Sequence, residues 1–177
     1  MKENNMGITF ITGGARSGKS RYAQELALRL SPSPVYVATA HKWDGDFGER
    51  IKRHQDERDE RWTTIEEEKY ISRLQLEGKV VVIDCVTLWL TNFFMDTKSN
   101  LEVCLEACKK EIDELSQQKA LLIIISNEIG MGVHAETEAG RKFTDLQGWM
   151  NQYIASKAMK VILMISGIPV TIKHEQG

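Results

Sequence analysis

Five short stretches of this chain are apolar at consecutive positions rather than at alternating ones: Ile8–Thr12, Val35–Ala38, Val80–Ile83, Ala120–Ser126 and Val161–Ser166. A strand with one face in water alternates; a strand covered on both faces does not. The stretches between them carry helical spacing, as in Gly18–Leu30, Leu101–Gln118 and Arg141–Lys157. Strand, helix, strand order with doubly covered strands predicts an α/β fold, a mostly parallel sheet flanked by helices and joined by right-handed crossovers. Near the end, Gly167-Ile168-Pro169 reads as a turn into a last strand, Val170–Lys173. So short a link predicts that this strand is antiparallel to its predecessor and lies at an edge.

The 177 residues fit one domain, 1–177, with no repeat or linker inside it. The 23 Lys and Arg nearly balance the 25 Asp and Glu, which gives no support for a nucleic-acid-coating protein. Three cysteines, Cys85, Cys104 and Cys108, fit a reducing compartment and buried thiols better than a disulfide framework. Residues 1–7 lack the apolar core of a signal peptide, and no apolar run is long enough to span a bilayer. A cytoplasmic protein without a membrane anchor is expected.

Gly13-Gly14-Ala15-Arg16-Ser17-Gly18-Lys19-Ser20 fits the pattern G-x-x-x-x-G-K-[ST], with a strand before it and a helix after it. Glycines let successive N–H groups turn inward toward phosphate oxygens, and the following helix aims its positive end at the same place. Lys19 is the cation for the outer phosphates, and the Ser20 hydroxyl is a ligand for Mg²⁺. The motif therefore marks a P-loop NTPase. Such a loop requires a second acid, and Asp84, at the end of Val80–Ile83, supplies it as the other Mg²⁺ ligand. Ser126-Asn127-Glu128 ends a neighbouring strand and is expected at the same crevice. Glu128 and Asp84 are both candidates for deprotonating a substrate hydroxyl. Trp89, Phe93 and Phe94 are candidate walls for a large substrate, but core packing is the expected job for at least two of them.

Phe47 to Arg61 reads as a charged helix or helical loop in which Arg50, His54 and Arg58 are spaced by four, with Arg61 three further on. Flanking arginines disfavour the protonated imidazole, so His54 keeps a free ring nitrogen for nucleophilic attack while the arginines hold an anion. A histidine on a charged face is most often merely solvated, and the spacing alone fits both roles.

Several motifs in order resemble one family. They are Thr12 to Arg21, Ala38-Thr39-Ala40, Arg50-Ile51 with His54 and Arg58 ahead of Trp62, Asp84 to Asn92, and Ser126 to Gly132. Arg141, Phe143, Asp145, Gly148, Asn151 and Gln152 continue the likeness, and Ser166-Gly167-Ile168-Pro169 closes it. The chain thus resembles, over nearly its whole length, the bifunctional adenosylcobinamide kinase / adenosylcobinamide-phosphate guanylyltransferase family. The resemblance implies phosphorylation of adenosylcobinamide by ATP or GTP, followed by transfer of GMP from GTP through a histidine, giving adenosylcobinamide-GDP in cobalamin biosynthesis. It places the covalent histidine at His54. It places GTP contacts at Gly13, Gly14, Ala15, Arg16, Ser17, Gly18, Lys19 and Ser20, at Ala38, Thr39 and Ala40, at Gln55, Asp56, Glu57 and Arg58, and at Glu66 and Asp84. It also implies a RecA-like P-loop fold and a homotrimer. The chain departs from the family pattern at Asp59, where a proline is frequent, at His134-Ala135 and at Ala158-Met159. Two other readings fit the loop alone: a small-molecule kinase without guanylyl transfer, and a non-catalytic nucleotide-binding module.

Overall fold

A computed structural model describes residues 6–41 and 58–174. Seven strands form one sheet: β1 (Gly7–Gly13), β2 (Val35–Ala38), β3 (Thr63–Glu66), β4 (Val80–Asp84), β5 (Leu121–Ile125), β6 (Lys160–Ile165) and β7 (Ile168–His174). Their order is β3-β2-β4-β5-β1-β6-β7. All neighbours are parallel except β6 and β7. The predicted α/β P-loop architecture and the antiparallel edge strand are both present. The β6–β7 link is two residues long, with Ser166 at φ 51° and Gly167 at φ 84°. Two positive φ values in succession give the tight primed turn whose twist matches the flanking strands.

Among the described residues, four α-helices cover the sheet: α1 (Lys19–Leu30), α2 (Val86–Asp96), α3 (Leu101–Ser116) and α4 (Glu138–Lys157). Successive strand residues point to opposite faces, and the core divides accordingly. Phe10, Val37, Val81, Ile83, Leu122 and Ile124 pack with Trp89, Cys108, Ile112, Leu146 and Met150 of α2, α3 and α4. Ile11, Tyr36, Val82, Ile123 and Ile125 pack on the other side with Ala23 and Ala27 of α1. The side of α1 is also the side of the P-loop.

Element ends move from the sequence reading by one to three residues, as at α4, which starts at Glu138 rather than Arg141. Thr137 caps it, accepting a hydrogen bond from the Gly140 N–H at 3.1 Å. Asn100 caps α3 in the same way through the Val103 N–H. The sequence reading had no counterpart for β3 or α2. Trp89, Phe93 and Phe94 are all buried in the core, as expected of at least two of them, and the third is no exposed wall either. The Trp89 ring stacks edge-on against Phe93, and its Nε1 donates to the Lys69 carbonyl at 2.7 Å. All three thiols are free and buried, as expected. The stretch 58–61 ends in a turn, not a helix. Its Arg61 pairs with Asp59 at 2.6 Å on the surface instead of extending a cationic row.

Ile123 is fully buried in the middle of the central strand, whereas Thr137 acts only at a helix end. Ile123→Ala should therefore cost about 2–5 kcal/mol and Thr137→Ala about 1 kcal/mol, read as lowered urea midpoints with similar slopes.

Candidate active site at the carboxyl edge of the sheet

The loop between β1 and α1 is built by close approach. Gly13 has φ 150°, and a Cβ there would lie 2.5 Å from the Met164 carbonyl oxygen and 2.9 Å from Ser17 Oγ. Gly18 has φ 95° and precedes α1 in the left-handed region, where only glycine is unstrained. Between them Gly14, Ala15 and Arg16 are exposed and Ser17 is buried, as is Lys19 just beyond. No side chain caps α1 and no acid sits in its first turn. Its amide and dipole end is thus left for an anion. The β6–β7 turn braces the loop from behind: the Gly167 N–H donates to the Ser17 carbonyl at 3.0 Å. Lys19 Nζ donates to the Gly14 carbonyl at 2.6 Å and to Ser17 Oγ at 3.4 Å, so its charge is folded into the cradle.

Strand register brings the remaining groups to the same edge. Ala38 pairs with Glu66 on one side and with Asp84 on the other, and Asp84 pairs with Ile125. The Glu128 N–H donates to the Gly13 carbonyl at 2.9 Å, which fixes the exit of β5 beside the cradle. Below it, Ser126, Gln147 and Asn151 form a buried network: Ser126 Oγ donates to Asn151 Oδ1 at 2.6 Å, and Gln147 Nε2 donates to both. Asn151 Nδ2 in turn donates to the Asn127 carbonyl. Gln147 is a functional-edge residue that the sequence reading missed, because nothing but its neighbours distinguishes it from a surface glutamine.

Thr39 is fully buried. Its hydroxyl donates to the Cys85 carbonyl at 2.8 Å, and its own carbonyl accepts from Asn92 Nδ2 at 2.9 Å. Its side chain is committed to joining β2 to the start of α2. Glu66 is exposed at the end of β3, and Ala38 and Ala40 are half-buried. His54, Arg50, Gln55, Asp56 and Glu57 lie outside the described residues. Arg58, where the description resumes, holds its guanidinium 3.9 Å above the Tyr36 ring. Its Nε and Nη1 are buried without a hydrogen-bond partner among the described residues.

Tyr36 donates its hydroxyl to Asp84 Oδ2 at 2.8 Å. Burial first, then the Asp84 carboxylate, raise the phenol well above its ordinary 10.0, so it stays protonated and a donor throughout the working range. Burial and the same carboxylate push the Cys85 thiol up to about 12. That thiol is therefore no nucleophile at neutral pH, even though it adjoins the site.

Mg²⁺ is a hard cation that takes oxygen ligands, and it is commonly held by one or two protein groups together with substrate phosphates. Among the described residues no group of three or more His, Cys, Asp or Glu forms a metal cage. The donor set at hand, the Ser20 hydroxyl and the Asp84 carboxylate, suits an ion bound together with phosphates.

A mostly parallel sheet, a glycine-curled anion cradle with a buried lysine, and an acid at the end of β4, one strand removed from β1, define a P-loop nucleotide-binding enzyme. Comparison with known proteins narrows the class. The family model for cobinamide kinase / cobinamide phosphate guanyltransferase matches residues 9–172. A bifunctional adenosylcobalamin biosynthesis protein, CobP, of Pseudomonas aeruginosa is 38% identical over 170 residues, covering 93% of this chain and 96% of that protein. Its counterpart CobU of Escherichia coli is 34% identical over 181 residues, covering 94% and 99%. The chain belongs to the cobinamide kinase / cobinamide phosphate guanyltransferase family, and it is a bifunctional kinase and guanylyltransferase acting in cobalamin biosynthesis. No helix among the described residues is long and apolar enough to cross a membrane.

The geometry separates two adjacent glycines. Gly13→Ala should abolish nucleotide binding and lower the melting temperature, because the clash is with backbone. A Cβ at Gly14 meets nothing within 4 Å, so Gly14→Ala should leave the melting temperature nearly unchanged. Calorimetric GTP titration and thermal melts of both variants check this.

Proposed function

We propose that one domain spanning residues 1–177 carries both reactions at the P-loop crevice, and that GMP passes through a covalent bond to His54. In the kinase step the hydroxyl oxygen of adenosylcobinamide attacks the γ-phosphorus of ATP or GTP. The bond to the β-phosphate oxygen breaks, and the hydroxyl proton passes to a carboxylate. In the guanylyl step an imidazole nitrogen of His54 bonds to the α-phosphorus of GTP as pyrophosphate leaves. A phosphate oxygen of the cobinamide phosphate then takes the GMP and frees the imidazole. Dividing the transfer in this way replaces one difficult displacement by two easier ones.

The amides of Gly13–Ser20 and the Lys19 ammonium bind and orient the phosphates, and they stabilise charge as it builds during transfer. Ser20 and Asp84 would hold Mg²⁺, which would supply further positive charge at the phosphates. Ala38, Thr39, Ala40, Glu66 and residues 55–58 complete the nucleotide site. For Thr39 this contact falls to the backbone N–H or carbonyl edge, since its hydroxyl is committed. Asp84 has one oxygen bonded to Tyr36 and the other assigned to the metal, which leaves Glu128 as the base for the substrate hydroxyl. We also propose a homotrimeric assembly in the cytoplasm. The apolar side chains exposed along β7 at Ile168, Val170 and Ile172 support association through that edge.

The observation that carries the two-reaction reading is Arg58. It stands four residues beyond His54, faces the edge that holds Asp84, and has two buried N–H groups without a partner among the described residues. An unpaired buried donor of this kind is costly unless an anion meets it.

Incubation with α-labelled GTP should give an acid-labile, base-stable label on the wild-type protein and none on His54→Asn. Absence of label on both would favour the kinase-only reading. Glu128→Gln should lower the kinase rate constant by about 100-fold or more while leaving the α-label intact; equal loss of both would remove Glu128 from the role of base.

A further inference from the structure

Tyr36 stands in a strand whose other members are small or aliphatic, and nothing in the sequence motifs marks it. The sheet register explains its placement. Tyr36 pairs with Val82 of β4, and Ala38 pairs with Asp84. Residues two apart on a strand share a face, so Asp84 is the diagonal neighbour of Tyr36 on the α1 side of the sheet. A long aromatic side chain reaches such a neighbour. The phenol meets Asp84 Oδ2 at 2.8 Å.

The ring itself is held on two sides. The Trp62 ring meets it edge-on at a centroid distance of 6.0 Å, and the Arg58 guanidinium covers its face at 3.9 Å. Tyr36 is 4% exposed, so its hydroxyl has no free rotation in water and one direction in which to donate. A carboxylate at a strand end otherwise turns about its side-chain bonds. Here one of its two oxygens is tied down.

We infer that Tyr36 is a positioning residue for the metal-binding acid: its hydroxyl fixes the Asp84 carboxylate so that a single oxygen is presented to the nucleotide-bound divalent cation. The inference rests on the reading of Asp84 as a metal ligand. It predicts a division of labour within one side chain. The hydroxyl serves Asp84, and the ring seats Arg58. Tyr36→Phe removes the first and keeps the second.

The test uses the full chain saturated with GDP and Mn²⁺ as a paramagnetic probe, with free Mn²⁺ followed by electron paramagnetic resonance. Tyr36→Phe should weaken Mn²⁺ binding about 10-fold, the size of effect usual for a group that orients a metal ligand. GDP affinity in EDTA and the melting temperature should stay close to wild type. Asp84→Ala should weaken Mn²⁺ at least as much, and adding Tyr36→Phe to Asp84→Ala should cost nothing more. In turnover, Tyr36→Phe should need more Mg²⁺ for half-maximal rate and recover at saturating Mg²⁺, a rescue that general structural damage would not permit. Wild-type Mn²⁺ affinity in Tyr36→Phe beside weakened affinity in Asp84→Ala overturns the role of Tyr36 alone. Additive losses in the double variant, or a rate deficit that Mg²⁺ does not rescue, overturn it too. Unchanged Mn²⁺ affinity in Asp84→Ala shows instead that Asp84 is not the metal ligand, and the inference fails with it.

Discussion

The contact between Gly13 and the Met164 carbonyl is the tightest constraint at this site. The P-loop backbone passes so close to β6 that no side chain fits between them, and the β6–β7 turn closes on it from the other side through the Gly167 and Ser17 backbones. A loop that must hold its N–H groups inward cannot rely on its own short-range bonds. It is kept in shape by the two neighbouring strands and by the helix it starts. The closing Ser166-Gly167-Ile168-Pro169 segment thus has a mechanical role: its turn is part of the wall of the phosphate cradle.

Charge is arranged around that cradle with little waste. The Lys19 ammonium is folded back onto the Gly14 carbonyl, Asp84 is tied to the Tyr36 hydroxyl, and Arg58 covers a face of the same ring. One aromatic side chain therefore touches both the acid assigned to the metal and the cation assigned to phosphate. Burial keeps the phenol protonated and the adjacent Cys85 thiol inert, so neither competes for phosphorus. Below the crevice, the Ser126–Gln147–Asn151 network holds the Asn127–Glu128 exit in place with buried hydrogen bonds.

Much of this was legible beforehand, for physical reasons. Strands covered on both faces leave consecutive apolar runs, and β1, β2, β4, β5 and β6 were visible through them. The P-loop is a local motif, so its eight residues could be read in place. What escaped was non-local or atypical. The strand Thr63–Glu66 lies at an exposed edge and is mostly polar, so no apolar run marks it. The helix Val86–Asp96 buries Val86, Trp89, Leu90, Asn92, Phe93 and Phe94, a face too wide for a clear helical period, and its aromatics looked like a substrate wall. The partnership of Tyr36 with Asp84 spans 48 positions and exists only through the register of β2 on β4. The row of charge extrapolated to Arg61 failed because Asp59 captures that side chain in a turn.

The account as a whole turns on where the triphosphate sits. A crystal structure of the chain with Mg²⁺ and a non-hydrolysable GTP analogue tests that directly. The account predicts the outer phosphates about 3 Å from the Lys19 ammonium and the loop amides, the metal between Ser20 and Asp84, and the α-phosphate within reach of a His54 ring nitrogen. Phosphates bound away from the Gly13–Ser20 curl, or an α-phosphate with no His54 ring near it from any copy of the chain, would contradict it.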